Sequence, residues 1–351
     1  MSFAPAFSYR HSHLHASGLY AIGYIFAAPN GVSMQAVILA AGRGSRMSPL
    51  TCTRPKCMVP VAGKPILHHI IDRCTQAGID DIVVVANYRS ADIDTDAVVV
   101  LQNSLGTTTD AILSANDLLQ DMFIVINGDV ISDVGAMTRC GAEPAIAVAG
   151  CGHGDEVLVE RGCVQQIGGV HTSLYNVGMY VMRRDMLDDI AKQGLLQSLV
   201  GASVVEVGEY HHINTPADAL DANESLIEHY IDPTVTLLPG VYIEPPVHVG
   251  PHSVVGPNSY LRPGTSVGAN CRIGQSVEIK NSIIMDNVKI PHLSYVGDSI
   301  IGEGCNLGAG TICSNLRHDA SPVFGRRKFG VVMRDGYKTT AGSVFMPGAV
   351  V

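Results

Sequence analysis

Two hydrophobic periodicities divide the chain. Over residues 34–230, short apolar runs alternate with segments whose apolar residues recur every three to four positions, whereas from about residue 240 the spacing locks to six. Gln35-Ala-Val-Ile-Leu-Ala40 is an unbroken apolar run ending in a glycine-rich loop, the pattern of a buried strand. Pro65 then opens a helix with Ile66, Leu67, Ile70, Ile71 and Cys74 on one face, and Gly78 stops it. The same reading predicts strands at 82–86, 97–101, 123–127, 145–149 and 175–182, with short ones near Val157 and Val164. Helices are predicted at about 107–119, 184–192 and 216–229. Such alternation specifies an α/β fold, a Rossmann-like domain with a mostly parallel mixed sheet covered on both faces. Active sites in these sheets lie at the carboxyl ends of the strands.

In the second part, Ile243, Val249, Val255, Leu261, Val267, Ile273 and Ile279 follow one another at six-residue steps. Gly follows the aliphatic residue at 250, 256, 268 and 274. After one-residue slips the step resumes at Ile284, Ile290 and Val296, and again at Ile301 and Leu307. A hexapeptide repeat predicts a parallel β-helix in which each aliphatic side chain stacks on its copy one coil away. The expected domains are therefore 34–230 and 241–351, joined by a linker at 231–240 that contains Pro233 and Pro239-Gly240.

Length changes little in this picture: 351 residues suit two domains at about 150 each. Charge excludes more, because 23 Lys+Arg against 32 Asp+Glu leave no basic excess for a nucleic-acid backbone. The nine Cys are odd in number with no C-x-x-C pair, which argues against a disulfide framework and for a reducing cytoplasm. No apolar run approaches the roughly 18 residues of a membrane helix. Residues 1–33, with alternating His11, His13 and His15, read as a leader, disordered or a start-site artefact, with the fold beginning at Met34.

The chemistry concentrates in Leu39-Ala-Ala-Gly-Arg-Gly-Ser-Arg-Met-Ser-Pro-Leu-Thr51, followed by Arg54-Pro55-Lys56. A glycine-rich loop after a first strand can turn backbone N–H groups toward phosphates. It lacks the G-K-[ST] of a Walker loop, and Met47 stands where a dinucleotide fingerprint needs its third Gly. Arg46 and Lys56 add positive charge, which suits a triphosphate whose pyrophosphate must leave. An ordinary strand-to-helix turn with surface basic residues is the plainer alternative.

Residues 39–56 resemble the signature of the sugar-1-phosphate nucleotidylyltransferase family, L-A-x-G-x-G-x-R-[LM], P-L-T, then P-K. The resemblance continues through Gln102 with Leu105-Gly106-Thr107, Asn127-Gly128-Asp129, Asn176-Val177-Gly178 and Asn214-Thr215-Pro216. It implies that Leu39, Ala41, Gly42, Gly44, Gln102, Gly106 and Thr107 bind the nucleotide, that Arg46 and Lys56 are catalytic, and that Asn176 and Gly178 meet the sugar. Asp129 and Asn214 would hold Mg²⁺, an ion that needs few protein ligands. The chain departs from the family at Gly168-Gly169-Val170, where Glu-Lys-Pro is usual, and at His212, where many members carry Asp.

The repeat domain resembles the acetyltransferase half of the bifunctional members that make UDP-N-acetylglucosamine. The match runs through Leu261-Arg-Pro-Gly264, Val277-Glu-Ile-Lys280, Pro291-His-Leu-Ser-Tyr-Val-Gly-Asp298 and Asn306-Leu-Gly-Ala-Gly-Thr311. The segment 317–330, with Arg326-Arg327-Lys328, is similar to the archaeal form. By that resemblance Arg262 and Lys280 take the sugar phosphate, Tyr295 and Asn306 the sugar, and Asn315 and Ala309 acetyl-CoA. The same resemblance makes His292 the general base, a role that suits an imidazole, which can take a proton from an attacking amine. The expected partners are UTP or dTTP, a sugar 1-phosphate and acetyl-CoA, with no nucleic acid and no membrane. A homotrimer through the left-handed β-helix is expected by analogy. Two other readings stay open: a glucose-1-phosphate thymidylyl- or uridylyltransferase with a purely structural coil, and a catalytically lapsed regulatory subunit.

Overall fold

The structure is a computed structural model and describes residues 34–102, 106–141, 143–152 and 154–351. Leu105 and the histidines at 11, 13 and 15 lie outside the described residues.

A nine-stranded mixed sheet forms the first domain. Across the sheet its strands are Val98–Leu101, Ile82–Ala86, Gln35–Ala40, Met122–Asn127, Tyr175–Arg183, Ala145–Ala149, Ser203–Glu206, Cys163–Ile167 and Val157–Glu160. The first four run parallel, and Tyr175–Arg183 runs antiparallel to both of its neighbours. The apolar run at 35–40 is unbroken because both of its faces are covered. Ala36, Ile38 and Ala40 join one core and Val37 the other. Helices Ile66–Gln76 and Pro216–Leu226 cover the first face, and Thr108–Ser114 and Leu187–Gln193 the second. The helix predicted at 107–119 closes at Ser114 and continues as a 3-10 turn, Asn116–Leu118. The helix predicted to reach 229 stops at Leu226, because the chain there turns into the next domain.

That domain is a left-handed β-helix of three parallel ladders, and its first coils repeat every 18 residues, as in the pairs Tyr242↔Tyr260 and Val255↔Ile273, with 17 at the slips (Glu278↔Tyr295) and 32 where the segment 317–330 intervenes (Ile300↔Val332). It begins earlier than the six-residue pattern suggested. The segment expected as a linker supplies Tyr230–Ile231 and Thr236–Leu237, which pair with Val247–Val249 and Val254–Val255. The six-step does extend back through Ile231 and Leu237, but without the following Gly, and Leu237 is exposed at the open end of the coil. Stacked glycines let the turns nest: a Cβ on Gly250 would lie 2.8 Å from the Gly268 carbonyl carbon.

The three faces differ in what they turn outward. The first face contributes Ile283, Ile300 and Val332, all buried because they join the core of the first domain together with Phe329. Each such side chain is worth about 1.5–3 kcal/mol on burial, so the domains share one apolar seam. The second face turns Arg272 and Lys289 to solvent. The third exposes Tyr242, Ile312 and Val344. At the seam, Asn223 on helix Pro216–Leu226 donates to Gly264 O (2.7 Å), and its Oδ1 accepts from Ser266 Oγ (2.8 Å) and Ala62 N–H (2.9 Å). No helix among the described residues is long and apolar enough to cross a membrane.

Candidate functional site

The glycine-rich loop leaves the first strand at its carboxyl end, beside the end of Met122–Asn127, with which it is in register at Leu39↔Asn127. Gly128 lets the two ends approach: its N–H donates to Leu39 O at 2.9 Å, and a Cβ there would stand 2.6 Å from that oxygen. Asp129 follows and faces the loop. Gly44, at φ 63, places Thr51 Oγ1 on its own carbonyl (2.9 Å) and leaves no room for a side chain beside Lys56 Cβ (2.7 Å). The cleft so formed has a volume of about 260 Å³. Leu39, Ala41, Gly42, Lys56, Gln102, Gly106, Thr107 and Asp129 all line it.

Lys56 Nζ donates to Asp129 Oδ2 at 2.5 Å and to Asn214 Oδ1 at 2.9 Å. Arg46 Nη2 reaches the same Asn214 oxygen at 3.1 Å. His212 Nε2 lies 3.6 Å from Asp129 Oδ1 and 2.9 Å from Asn214 Nδ2. Burial opposes ionisation of Asp129, but the His212 imidazole and the Lys56 ammonium outweigh it and hold the carboxyl well below the ordinary carboxylate range. Asn214 is fixed by the helix it precedes. Its N–H donates to Asp218 Oδ2 at 2.9 Å, within a capping box between Thr215 and Asp218 at the start of Pro216–Leu226.

Gln102 is buried and lines the cleft, and its Nε2 has no partner among the described residues, so a ligand acceptor there would satisfy it. Thr107 caps helix Thr108–Ser114 through its own capping box with Asp110. A second chamber of about 550 Å³ shares Thr107, Thr108 and Asn127 with the first. Asn176 and Gly178 line it with Asp155 and His212. Asn176 is held by Tyr180 Oη (3.0 Å) and Gly178 N–H (3.0 Å), and Gly178, at φ 90, makes room for Asn127. Gly168 and Gly169, both at positive φ, turn the chain directly after strand Cys163–Ile167, and neither lines the chamber.

On the β-helix, Arg262 and Lys280 stand at the ends of third-face strands and line a cavity of about 570 Å³ with Asp298, Arg326, Arg327 and Lys328. Burial lowers the Lys280 pKa, and the neighbouring cations Lys328 and Arg262 lower it further against the pull of Asp298. Such a crowd of cations is relieved by an anion. Asn315 donates to Asp298 and lies within hydrogen-bond reach of Tyr295, in space left by the missing side chain of Gly297. His292, Asn306 and Ala309 are exposed elsewhere: His292 and Ala309 lie in turns between the second and third faces, and Asn306 bridges Lys289 on the second-face ladder. One chain therefore brings Arg262, Lys280, Tyr295 and Asn315 to one corner and leaves His292, Asn306 and Ala309 away from it.

The family model described as Nucleotidyl transferase matches residues 35–143, and the one described as GMPPB C-terminal domain matches 241–328. The chain is 35% identical to the "Bifunctional protein GlmU" of Methanocaldococcus jannaschii over 91% of its own length and 92% of that protein's. It is 37% identical to the Methanococcus maripaludis protein of the same name, over 90% of this chain and 91% of the relative. The chain belongs to the bifunctional GlmU family. A member from Sulfurisphaera tokodaii, described as a bifunctional sugar-1-phosphate nucleotidylyltransferase/acetyltransferase, is 30% identical over 90% of this chain and 93% of its own. Among solved structures, a putative glucose-1-phosphate thymidylyltransferase from Bacillus anthracis shares the fold of the first domain (TM-score 0.50, 17% identity, 57% of this chain and 97% of that one).

Within this GlmU-family frame, the residues read from sequence in the first domain gather around two adjoining chambers, whereas those of the second domain divide between two corners. Sequence reasoning gave no role to Asn127 or to Arg54. The Arg54 Nη2 donates across the domain seam to Glu303 Oε2 (3.0 Å) and Asp335 Oδ2 (2.5 Å). The only signal for Arg54 was its place in the Arg54-Pro55-Lys56 run, and nothing in the repeat pattern marked Asp335.

Proposed function

We propose that this chain makes UDP-N-acetylglucosamine in two transfers. On the β-helix, the amine of glucosamine 1-phosphate attacks the thioester carbonyl of acetyl-CoA, the C–S bond breaks, and His292 takes the amine proton. Arg262 and Lys280 hold the sugar phosphate, Tyr295 and Asn306 the sugar, and Asn315 and Ala309 the acetyl donor. In the cleft, a phosphate oxygen of the acetylated sugar attacks the α-phosphorus of UTP in line, and pyrophosphate leaves. Lys56 and Arg46 stabilise the charge that builds on the triphosphate. Gln102, Thr107 and the loop Leu39–Gly44 hold the nucleotide, and Asn176 and Gly178 meet the sugar.

The observation that carries this reading is the meeting of Lys56, Arg46, Asp129 and Asn214 at the carboxyl ends of two parallel strands. Asp129 and Asn214 would hold Mg²⁺. Their oxygens already share one cation, the Lys56 ammonium, and no group of three or more acidic, His or Cys side chains suited to a metal occurs among the described residues. That donor set fits an ion that keeps several waters and binds phosphate as well. When bound, the ion supplies positive charge beside the phosphates. The exposed third-face stripe of Tyr242, Ile312 and Val344 supports self-association through the β-helix, as a homotrimer.

Mass spectrometry of products from glucosamine 1-phosphate, acetyl-CoA, UTP, dTTP and Mg²⁺ tests both transfers at once. UDP-N-acetylglucosamine is expected. A thymidylylated or unacetylated product assigns the chain to the glucose-1-phosphate reading, and no nucleotide sugar at all assigns it to the regulatory one.

A further inference from the structure

We propose that Asp335, on the β-helix, is a positioning residue for nucleotidyl transfer, acting through Arg54 and Thr53 to fix the ammonium of Lys56 in the cleft. The proposal rests on the nucleotidyl-transfer reading above.

Both oxygens of Asp335 are engaged. Oδ2 accepts from Arg54 Nη2 and from Thr53 Oγ1, each at 2.5 Å, and Oδ1 accepts from the Glu303 N–H at 2.8 Å. The carboxylate thus ties a turn of the coil to the loop that carries Lys56, across 281 residues of sequence. Glu303 Oε2 gives Arg54 a second carboxylate at 3.0 Å. The Arg54 and Asp335 side chains are only 16% and 14% exposed, so the pair is screened from water far better than a surface ion pair.

Arg54 does not line the cleft. Its guanidinium faces the coil, so it can influence the reaction only through the backbone it shares with Lys56. That link is short and stiff. Pro55, at φ −66, separates the two, and a 3-10 turn, Lys56–Met58, starts immediately with Met58 N–H on Pro55 O (2.9 Å). On its other side the Lys56 stem abuts Gly44. Lys56 is therefore gripped between the glycine loop and the coil, and the coil's grip is Asp335. The domains do not depend on this pair to stay together, since Asn223 and the apolar seam of Ile283, Ile300 and Val332 dock them independently.

Releasing the grip lets the ammonium drift from the position where charge develops, and displacements near 1 Å cost up to about 100-fold in rate. The loss falls in kcat, because the nucleotide contacts at Gln102, Thr107 and the glycine loop are untouched. The test uses the full chain as wild type, Asp335→Asn, Arg54→Ala and the double variant. For each, kcat and KM for UTP and the sugar phosphate are measured, with acetyl transfer and the thermal midpoint in the same preparations. The expected result is a kcat for nucleotidyl transfer lowered about 10- to 100-fold in each single variant. KM for UTP changes less than about twofold, acetyl transfer holds at the wild-type rate, and the double variant is no slower than Arg54→Ala. The proposal is overturned if Asp335→Asn keeps its kcat, if acetyl transfer falls in parallel, or if the two losses multiply in the double variant. A wild type that transfers no nucleotidyl group overturns the underlying reading, and this proposal with it, before any variant is compared.

Discussion

The two proposed sites differ in whether one chain can complete them. In the cleft, the segment with Arg46 and Lys56 meets Asp129 and Asn214 from two distant stretches, and Asn214 Oδ1 is within 3.1 Å of both cations. On the β-helix, Arg262, Lys280 and Asp298 cluster at strand ends while His292 and Ala309 stay in turns at the opposite edge of the third face. The contrast follows from architecture. A sheet with crossover helices gathers the loops that follow its parallel strands at one edge, so distant residues converge. A β-helix lays its residues along straight ladders, so positions at different corners stay apart however regular the repeat. Under the homotrimer proposed above, another coil would complete the second constellation, and the exposed third face, where Tyr242 is 61% and Val344 59% exposed, offers the surface for one.

The sharpest way to break this comparison is to disable one site and read the other. Asp129→Ala removes the carboxylate that orders Lys56 and leaves that cation only the Asn214 oxygen, so nucleotidyl transfer is expected to fall about 10³-fold. Acetyl transfer should be untouched, and a parallel loss of both rates would sink the claim that the sites are independent. In the opposite direction, His292→Ala is expected to cost about 10²-fold in acetyl transfer, the usual worth of a general base, with nucleotidyl transfer unchanged. An alanine variant that acetylates as fast as wild type removes His292 from the mechanism.

A smaller effect is expected from charging the third face. Tyr242→Lys with Val344→Lys should lower the sedimentation coefficient to that of a single chain and slow acetyl transfer about tenfold or more, while nucleotidyl transfer stays within about twofold. Single chains that acetylate at the full rate would show the second site to be complete in one copy and end the comparison as drawn here.

Much of this was legible in the sequence, for reasons that differ between the regions. The strand at 35–40 was readable because burial on both faces leaves an unbroken apolar run, and the coil because its interior repeats every six residues. The start of the coil was not, because Pro233 and Pro239-Gly240 punctuate Tyr230–Ile231 and Thr236–Leu237 like a linker. In the cleft, Lys56 and the glycine loop sit in one local motif, whereas Arg54–Asp335 joins residues whose neighbourhood only tertiary packing creates. The outward Ile283 and Ile300 carried a faint signal: paired isoleucines where a solvated coil would place one apolar and one polar residue.

The smallest effect probes the seam where the two regions meet. His69, on helix Ile66–Gln76, is buried with Nε2 2.9 Å from Val61 O, next to the Ala62 N–H that binds Asn223. Burial lowers its pKa to about 4, more than the hydrogen bond to Val61 can offset. Between that value and its ordinary one near 6.5, the unfolded chain binds a proton that the folded chain refuses. Stability therefore falls as pH drops through this window, by up to about 3 kcal/mol for this side chain, and is unaffected by it above the window. Asp129 acts in a different range, since a carboxyl with a depressed pKa loses its contribution only as pH falls below the ordinary carboxylate value. His211 and His248 are shifted in the same direction as His69, by burial, so the total acid sensitivity is shared. The difference between wild type and His69→Gln isolates one member, because glutamine can still donate to Val61 O but does not titrate. Urea unfolding at pH 4.5, 5.5 and 7 should show a shallower pH slope in the variant. Equal slopes would mean that His69 is already protonated in the folded protein at acid pH, and that the seam tolerates a charge its packing argues against.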